Sequence, residues 1–260
     1  MPHTTNGSVS LHYETDGDGP AVAFVGDAGY GAWQWGWQHA AVAGPYESVV
    51  SDLRGTGRSD APPGPYAVPD LTGDLHAVLS ACGVRRAHLV GAGLGGMVAL
   101  HSALTAGRAR SLTLVGTAAS GVGLDLDPLY GDPDDRESLR SSLAAAFSDG
   151  FLDEQGDVVE QITTWRAEED ASREAWEAQA AAVADFDLSD RLYEVTVPTL
   201  VFHGTDDAVW PVERGRALAD GLPRGEFVAL EGAGHLAGVE HSRTVNDRTV
   251  AFLDEQSERN

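Results

Sequence analysis

Four glycines in the stretch HLVGAGLGGMVAL, residues 88–100, stand where an apolar strand runs into a helix, and two chemistries use such a turn. Gly91, Gly93 and Gly96 spell G-x-G-x-x-G, whose backbone amides can cradle the pyrophosphate of a dinucleotide. The same letters fit G-x-S-x-G, the strained elbow that lifts a nucleophilic serine off the end of a strand, with Gly93 in the serine's place. A dinucleotide turn also needs a carboxylate closing the next strand, about twenty residues on, to hold a ribose. Here that strand ends in LVGTAAS, with no acid, and several strands come before the turn. The elbow is therefore preferred. The strain of such a tip costs a residue with a side chain on the order of 1–3 kcal/mol, which glycine escapes. Other reactive residues are less well placed. Thr117 and Ser120 follow a strand but lie on no elbow, and Cys82 among apolar neighbours reads as inert packing. His12, His39, His76, His88, His101, His203 and His241 show no H-x-H or H-E-x-x-H spacing, so no metal is inferred.

The elements that must position such a turn alternate between strand and helix, the pattern of a parallel sheet covered on both faces. SVSLHYET (8–15) alternates like a half-buried strand, and AVAFV (21–25) is a continuous apolar run suited to a central one. A glycine-rich loop and a helix bearing Trp33, Trp35 and Trp37 follow, then a strand at 46–52. Residues 68–83 read as a helix with Asp70 near its start and Gly83 at its end. Strands are expected at 85–90, 111–116, 199–204 and 225–230, a last helix over 244–252, and a frayed polar tail DEQSERN. Between Thr117 and Glu194 the alternation stops, and three acid-faced amphipathic helices are expected. Their apolar sides can rest only over the C-terminal edge of the sheet, where open α/β sheets bind ligands, so this excursion reads as a lid.

The chain has 260 residues and 42% hydrophobic content, enough for one α/β core with an insertion. Seventeen Lys+Arg against forty Asp+Glu give a net charge of −23, and there is no lysine. Such a surface repels nucleic acid and anionic membranes, and neither is expected as a partner. Acid spread along the whole chain resembles the proteins of halophiles, where molar salt shortens the Debye length to about 3 Å and screens self-repulsion. With no signal peptide and no long apolar run, a cytoplasmic location is expected. The single cysteine excludes an internal disulfide.

Four motifs then fall in one order. They are D-x-R-G-x-G-x-S in DLRGTGRSDAPPGPY (Asp52, Arg54, Gly55, Gly57, Ser59), the turn at Gly91, Gly93, Gly95 and Gly96, G-x-x-D in HGTDDAVWP (Gly204, Asp207), and EGAGHLAG with His235. In order and spacing the sequence resembles the α/β-hydrolase superfamily, in particular small esterases and 3-oxoadipate enol-lactonase-like enzymes. The resemblance implies the α/β-hydrolase fold, a core of residues 1–116 and 195–260, and a helical cap over 117–194. It implies that Asp207, ahead of the adjacent Asp206, orients His235, and that the backbone N–H groups of Ala28 and Leu94 form an oxyanion hole. Gly93 then marks a vacant nucleophile position. Gly26-Asp27 replaces the family's usual H-G, and a carboxylate near ~4 Å from a developing oxyanion opposes it by several kcal/mol at an effective dielectric near 20. Asp27 is accordingly read as an exposed loop residue in preference to a new functional acid, and Asp27 and Trp33 are the candidates for lining the pocket. The expected function is hydrolysis of a small ester or lactone, with His235 activating water or abstracting a proton, and no cofactor. The alternative is an inactive relative that binds a small ligand beneath its lid.

Overall fold

Five apolar residues in a row need cover on both faces, and Ala21–Val25 has it, every one of its residues being buried. In the computed structural model, which describes residues 2–258, the strands are β1 (His3–Asn6), β2 (Val9–Asp16), β3 (Ala21–Val25), β4 (Glu47–Ser51), β5 (Ala87–Ala92), β6 (Ala109–Val115), β7 (Thr199–Gly204) and β8 (Gly225–Leu230). They form one sheet in the order β1-β2-β4-β3-β5-β6-β7-β8. β1 and β2 pair antiparallel, as do β2 and β4, and the other pairings are parallel.

The helices are α1 (Gly36–Val42), α2 (Val68–Ala81), α3 (Leu94–Thr105), α4 (Arg136–Ala146), α5 (Asp149–Glu154), α6 (Gly156–Glu169), α7 (Arg173–Ala184), α8 (Val212–Gly221), α9 (Ala237–Glu240) and α10 (Ser242–Glu258). α2 packs with α3, and α8 with β7 and β8, whereas α1 packs with α10. From β3 the chain crosses to β4 on one side, and from β4 it returns to β5 on the other. Such a reversal of strand order opens a crevice beyond the C-terminal ends of β3 and β5.

This is the expected α/β-hydrolase fold, with some differences at the margins. β1 was not expected, because its four residues, HTTN, carry no apolar alternation and sit at the sheet's edge. The excursion between β6 and β7 holds four helices, not three, since Ser148 accepts a hydrogen bond from the Phe151 N–H and starts α5 within the first expected segment. The last helix runs on to Glu258, held by Tyr46 Oη donating to Asp254 (2.7 Å), so most of the tail is helical; Arg259 and Asn260 lie outside the described residues. Among the described residues no helix is long and apolar enough to cross a membrane.

Candidate active site

Register builds the site. Val25 of β3 lies beside Gly91 of β5, so Asp27 and Gly93, each two residues further on, leave the sheet as neighbours. Gly93 has φ +44°, and a Cβ there would stand 1.9 Å from Asp27 Oδ1 and 2.1 Å from Asp27 Cγ. The Asp27 carboxylate therefore fills the space that any side chain at position 93 would need. A Cβ on Gly95 would lie 2.0 Å from the Val25 carbonyl oxygen, so α3 meets the end of β3 backbone to backbone. The glycine run is explained by this close packing, without a pyrophosphate.

Asp27 is buried, 1% exposed, which corrects its reading as an exposed loop residue. Its Oδ1 accepts the N–H groups of Ala28 (2.6 Å) and Leu94 (2.8 Å). Leu94 is the first residue of α3, where the helix dipole favours an anion. The carboxylate thus sits in the hole expected to receive an oxyanion, filling it. Asp27 Oδ2 lies 2.7 Å from His235 Nε2, and His235 Nδ1 lies 2.8 Å from Asp207 Oδ2. Asp207 Oδ1 accepts the N–H groups of Val209 (3.0 Å) and Trp210 (2.8 Å). Behind it His203 Nε2 lies 2.6 Å from the Trp210 carbonyl oxygen and 3.4 Å from Asp207 Oδ2. The Trp210 ring stacks on His235 with centroids 5.9 Å apart.

An imidazole with a carboxylate at each nitrogen needs a proton on both. Burial pulls His235 toward the neutral form, but the charge and hydrogen bond of Asp207, then those of Asp27, outweigh it and raise its pKa to about 10. Asp207 is pushed up by burial, yet His235 and His203 hold it well below the usual carboxylate range. Both shifts favour an imidazolium at position 235, held from its two sides by Asp207 and Asp27. His235 Nε2 already donates to Asp27 and is no free base.

A cleft of about 20 Å³ touches both Asp27 and His235 and is lined also by Gln34, Trp35, Gln38 and Gly238. Gln38 Nε2 donates to the Gly238 carbonyl (2.6 Å), while Gln38 Oε1 and Trp35 Nε1 have no partner. A larger pocket, about 370 Å³, is lined by Trp33, Trp35, His12, Asp52 and Glu169 among others, and by neither Asp27 nor His235. Trp33 therefore edges a different pocket. Its Nε1 donates to Asp170 (2.7 Å) and its backbone N–H to Glu169 (2.9 Å).

Those acids belong to the helical excursion, which grips the loop after Asp27 at several points. Gln179 accepts the Gly29 N–H (2.6 Å) and donates to the Arg54 carbonyl (2.7 Å), and the Trp176 ring lies against Gly29. Asp170 also accepts the Gly31 N–H (3.1 Å) and pairs with Arg166 at 2.6 Å, both side chains being buried. Arg166 further donates to Ser142 and Leu139 and lies over the Tyr30 ring. Removing one member of a buried pair strands the other's charge at a cost of about 3–5 kcal/mol. Arg166→Met is therefore expected to lower the unfolding free energy obtained from urea titration by that amount and to expose residues 28–33 to limited proteolysis.

Sequence reasoning had named Asp207, His235, Gly93, Ala28 and Leu94, and the structure brings all five to one point. It had named Asp27 for the pocket but missed its burial against His235 and the two amides, and it missed the backing by His203 and the cleft residues Gln38 and Trp35. Thr117 is present in a supporting position, donating to the Gly93 carbonyl (2.6 Å), whereas Ser120 pairs away from the site with Asp187. The putative carbamate hydrolase RutD of Azorhizobium caulinodans is 29% identical over 98% of this chain and 99% of its own length. The 3-oxoadipate enol-lactonase 2 of Acinetobacter baylyi is 26% identical over 94% of this chain and 93% of that protein. The crystal structure of the enol-lactonase from Burkholderia xenovorans superposes with a TM-score of 0.87 at 25% identity, covering 97% of this chain and all of that one. Residues 22–248 match the model of the alpha/beta hydrolase family, and with the fold and the strand-end site in agreement, the chain belongs to that family.

Proposed function

We propose that this protein is a small-molecule hydrolase acting on an ester-like or lactone-like bond without a serine, through the Asp27–His235–Asp207 row. In this reading the helices between β6 and β7 are its lid. One observation carries it: an oxygen of Asp27 stands 2.7 Å from His235 Nε2, where a base meets its nucleophile, and its twin lies between two backbone donors. A cleft of about 20 Å³ has room for about one water and no substrate, so the lid lifts for entry. With Asp27 on its Nε2, His235 acts on water only once Asp27 has given up its charge or moved aside.

The filled hole and the small cleft favour a second reading, in which the row is an inert staple and the protein binds a ligand without turning it over. Assays of nitrophenyl butyrate and a set of lactones in molar potassium chloride separate the two. The hydrolase reading expects wild-type turnover that falls by about a hundredfold or more in His235→Ala, the range for loss of a general acid–base. Saturable binding of these compounds with no turnover by the wild type establishes the inert reading.

A further inference from the structure

We infer that substrate enters beneath α5, through a chamber latched by Glu240 that admits an uncharged ester or lactone with an apolar tail. This deepens the hydrolase reading and rests on it. The helical excursion is fastened unequally. Its α6–α7 side is held over the Asp27 loop by the buried Arg166–Asp170 pair, by Gln179 and by the Trp176 ring. α5 is six residues long and has none buried. One carboxylate ties its start to the loop of His235. Glu240 Oε1 accepts the N–H groups of Ser148 (3.1 Å) and Gly234 (2.7 Å), and Oε2 accepts the Ser148 hydroxyl (2.5 Å). The Leu236 N–H adds a bond to the Ala146 carbonyl (2.8 Å). Segments with little buried surface open at low free energy, so the lift starts at this corner and pivots on the α6–α7 side.

A space already waits at that corner. Between α5 and α9 lies a chamber of about 460 Å³, the size of a small-molecule site, whereas the cleft at the row has about 20 Å³. Val239 lines both, and Trp37 of the chamber adjoins Gln38 of the cleft. The bond from Gln38 to the Gly238 carbonyl (2.6 Å) bars the way between them. Gly234 and Glu240, the two ends of the stretch that carries His235 and Gly238, are bonded to each other at the latch. Release of Ser148 from Glu240 therefore loosens the bar and the entrance together.

The walls set the substrate class. Trp37, Phe151, Val158 and Val239 give the chamber an apolar side for a tail. Trp37 is braced edge-on by Trp165 (centroids 5.9 Å apart), and Phe151 stacks on Phe147 (4.6 Å). Among the described residues no arginine lines the chamber or the cleft, and the chain has no lysine. A substrate with a carboxylate would pass Glu154 and Glu240, then Asp27, and would reach the His235 ring only between Asp207 and Asp27. The net charge of −23 opposes its approach from solvent as well.

The test compares nitrophenyl butyrate with nitrophenyl hemisuccinate, in which a carboxylate replaces the terminal methyl group. Wild-type kcat/KM is expected to favour the butyrate by about tenfold or more at about 0.1 M potassium chloride. The gap should narrow in molar salt, as the Debye length falls from about 10 Å to about 3 Å. Gly150→Trp is expected to raise the KM for butyrate about tenfold with little change in kcat. Gly150 lines the chamber, and a Cβ there meets nothing within 4 Å, so the indole fills the space without disturbing the fold. Should that variant fail to fold, Glu154→Arg, at an exposed position, is expected to improve hemisuccinate relative to butyrate by about fivefold or more at the lower salt. Glu240→Gln is expected to speed amide hydrogen exchange at Gly234 and Phe151 by about tenfold or more, while the α6 and α7 amides keep their rates. Hydrolysis indifferent to Gly150→Trp, to Glu154→Arg and to the terminal carboxylate overturns the entrance and leaves the hydrolase reading intact. Unaltered exchange in Glu240→Gln overturns the latch. Absence of turnover of both esters overturns the hydrolase reading and the entrance with it.

Discussion

Gly93→Ser alone is expected to yield no serine esterase, whereas Gly93→Ser with Asp27→Ala is expected to exceed the single variant's ester hydrolysis by about a hundredfold or more. A Cβ at position 93 would enter the Asp27 carboxylate at 1.9 Å from Oδ1, so the single variant must expel a buried acid from two backbone donors and from His235. Overpacking of that kind costs about 1–3 kcal/mol, and the positive φ adds strain of similar size. The double variant removes the obstruction, frees the Ala28 and Leu94 amides for a substrate oxyanion, and returns His235 Nε2 to a hydroxyl. One freed donor alone is worth about 10²–10³ in rate. Initial rates with nitrophenyl butyrate and labelling by a fluorophosphonate report both effects. If the single variant labels and hydrolyses as well as the double, Asp27 is not held where the structure places it.

The second large effect is on His235. Its folded pKa, about 10, lies above the ordinary value near 6.5, so the imidazolium contributes stability that is complete below about pH 6.5 and fades as pH rises through 10. Asp207 runs the opposite way. Its folded value lies below the ordinary carboxylate range, so its contribution is complete above about pH 4 and is lost in more acid solution as its folded value is passed. Urea midpoints against pH should therefore show a stability difference between wild type and His235→Gln that shrinks between about pH 6.5 and 10. His235→Ala, which leaves two buried carboxylates facing each other, should cost about 3–5 kcal/mol at neutral pH. In Asp27→Asn the ring resonances of His235 should titrate at markedly lower pH. A ring that titrates near the ordinary histidine value in the wild type would show that the row is not charged as described.

The framework was readable because parallel strands carry short apolar runs, AVAFV whole, LVF within TLVFHG and FVAL within GEFVAL, and these became β3, β7 and β8 with the expected limits. HTTN became a strand only through its pairing with β2, a tertiary cause that no local pattern records. The candidate site divides in the same way. Asp207 and His235 stand in motifs with fixed spacing from strand ends, and so could be named in advance. Asp27 could not be placed, because whether a loop acid is buried depends on its partners. Those partners, Leu94 and His235, are 67 and 208 residues away. The burial of Arg166 was hidden for a related reason. It sits on a helix that reads as amphipathic, and only its pairing with Asp170 and the carbonyls around it allow a guanidinium to be 1% exposed. The Trp33 side chain went to Asp170 of the excursion, a contact across 137 positions.

The 208-position gap between Asp27 and His235 has a bearing on biosynthesis. Translation delivers the N-terminal strands first, at about 5–20 residues per second, and the imidazole only after β8, the final strand. Until then the acid behind β3 has no cation to neutralise it, and the ribosome-bound chain has every reason to keep that loop hydrated. Closure of the loop thus waits until synthesis has passed residue 235, and a nascent polypeptide stalled before it should carry an open, protease-sensitive segment that the folded protein lacks.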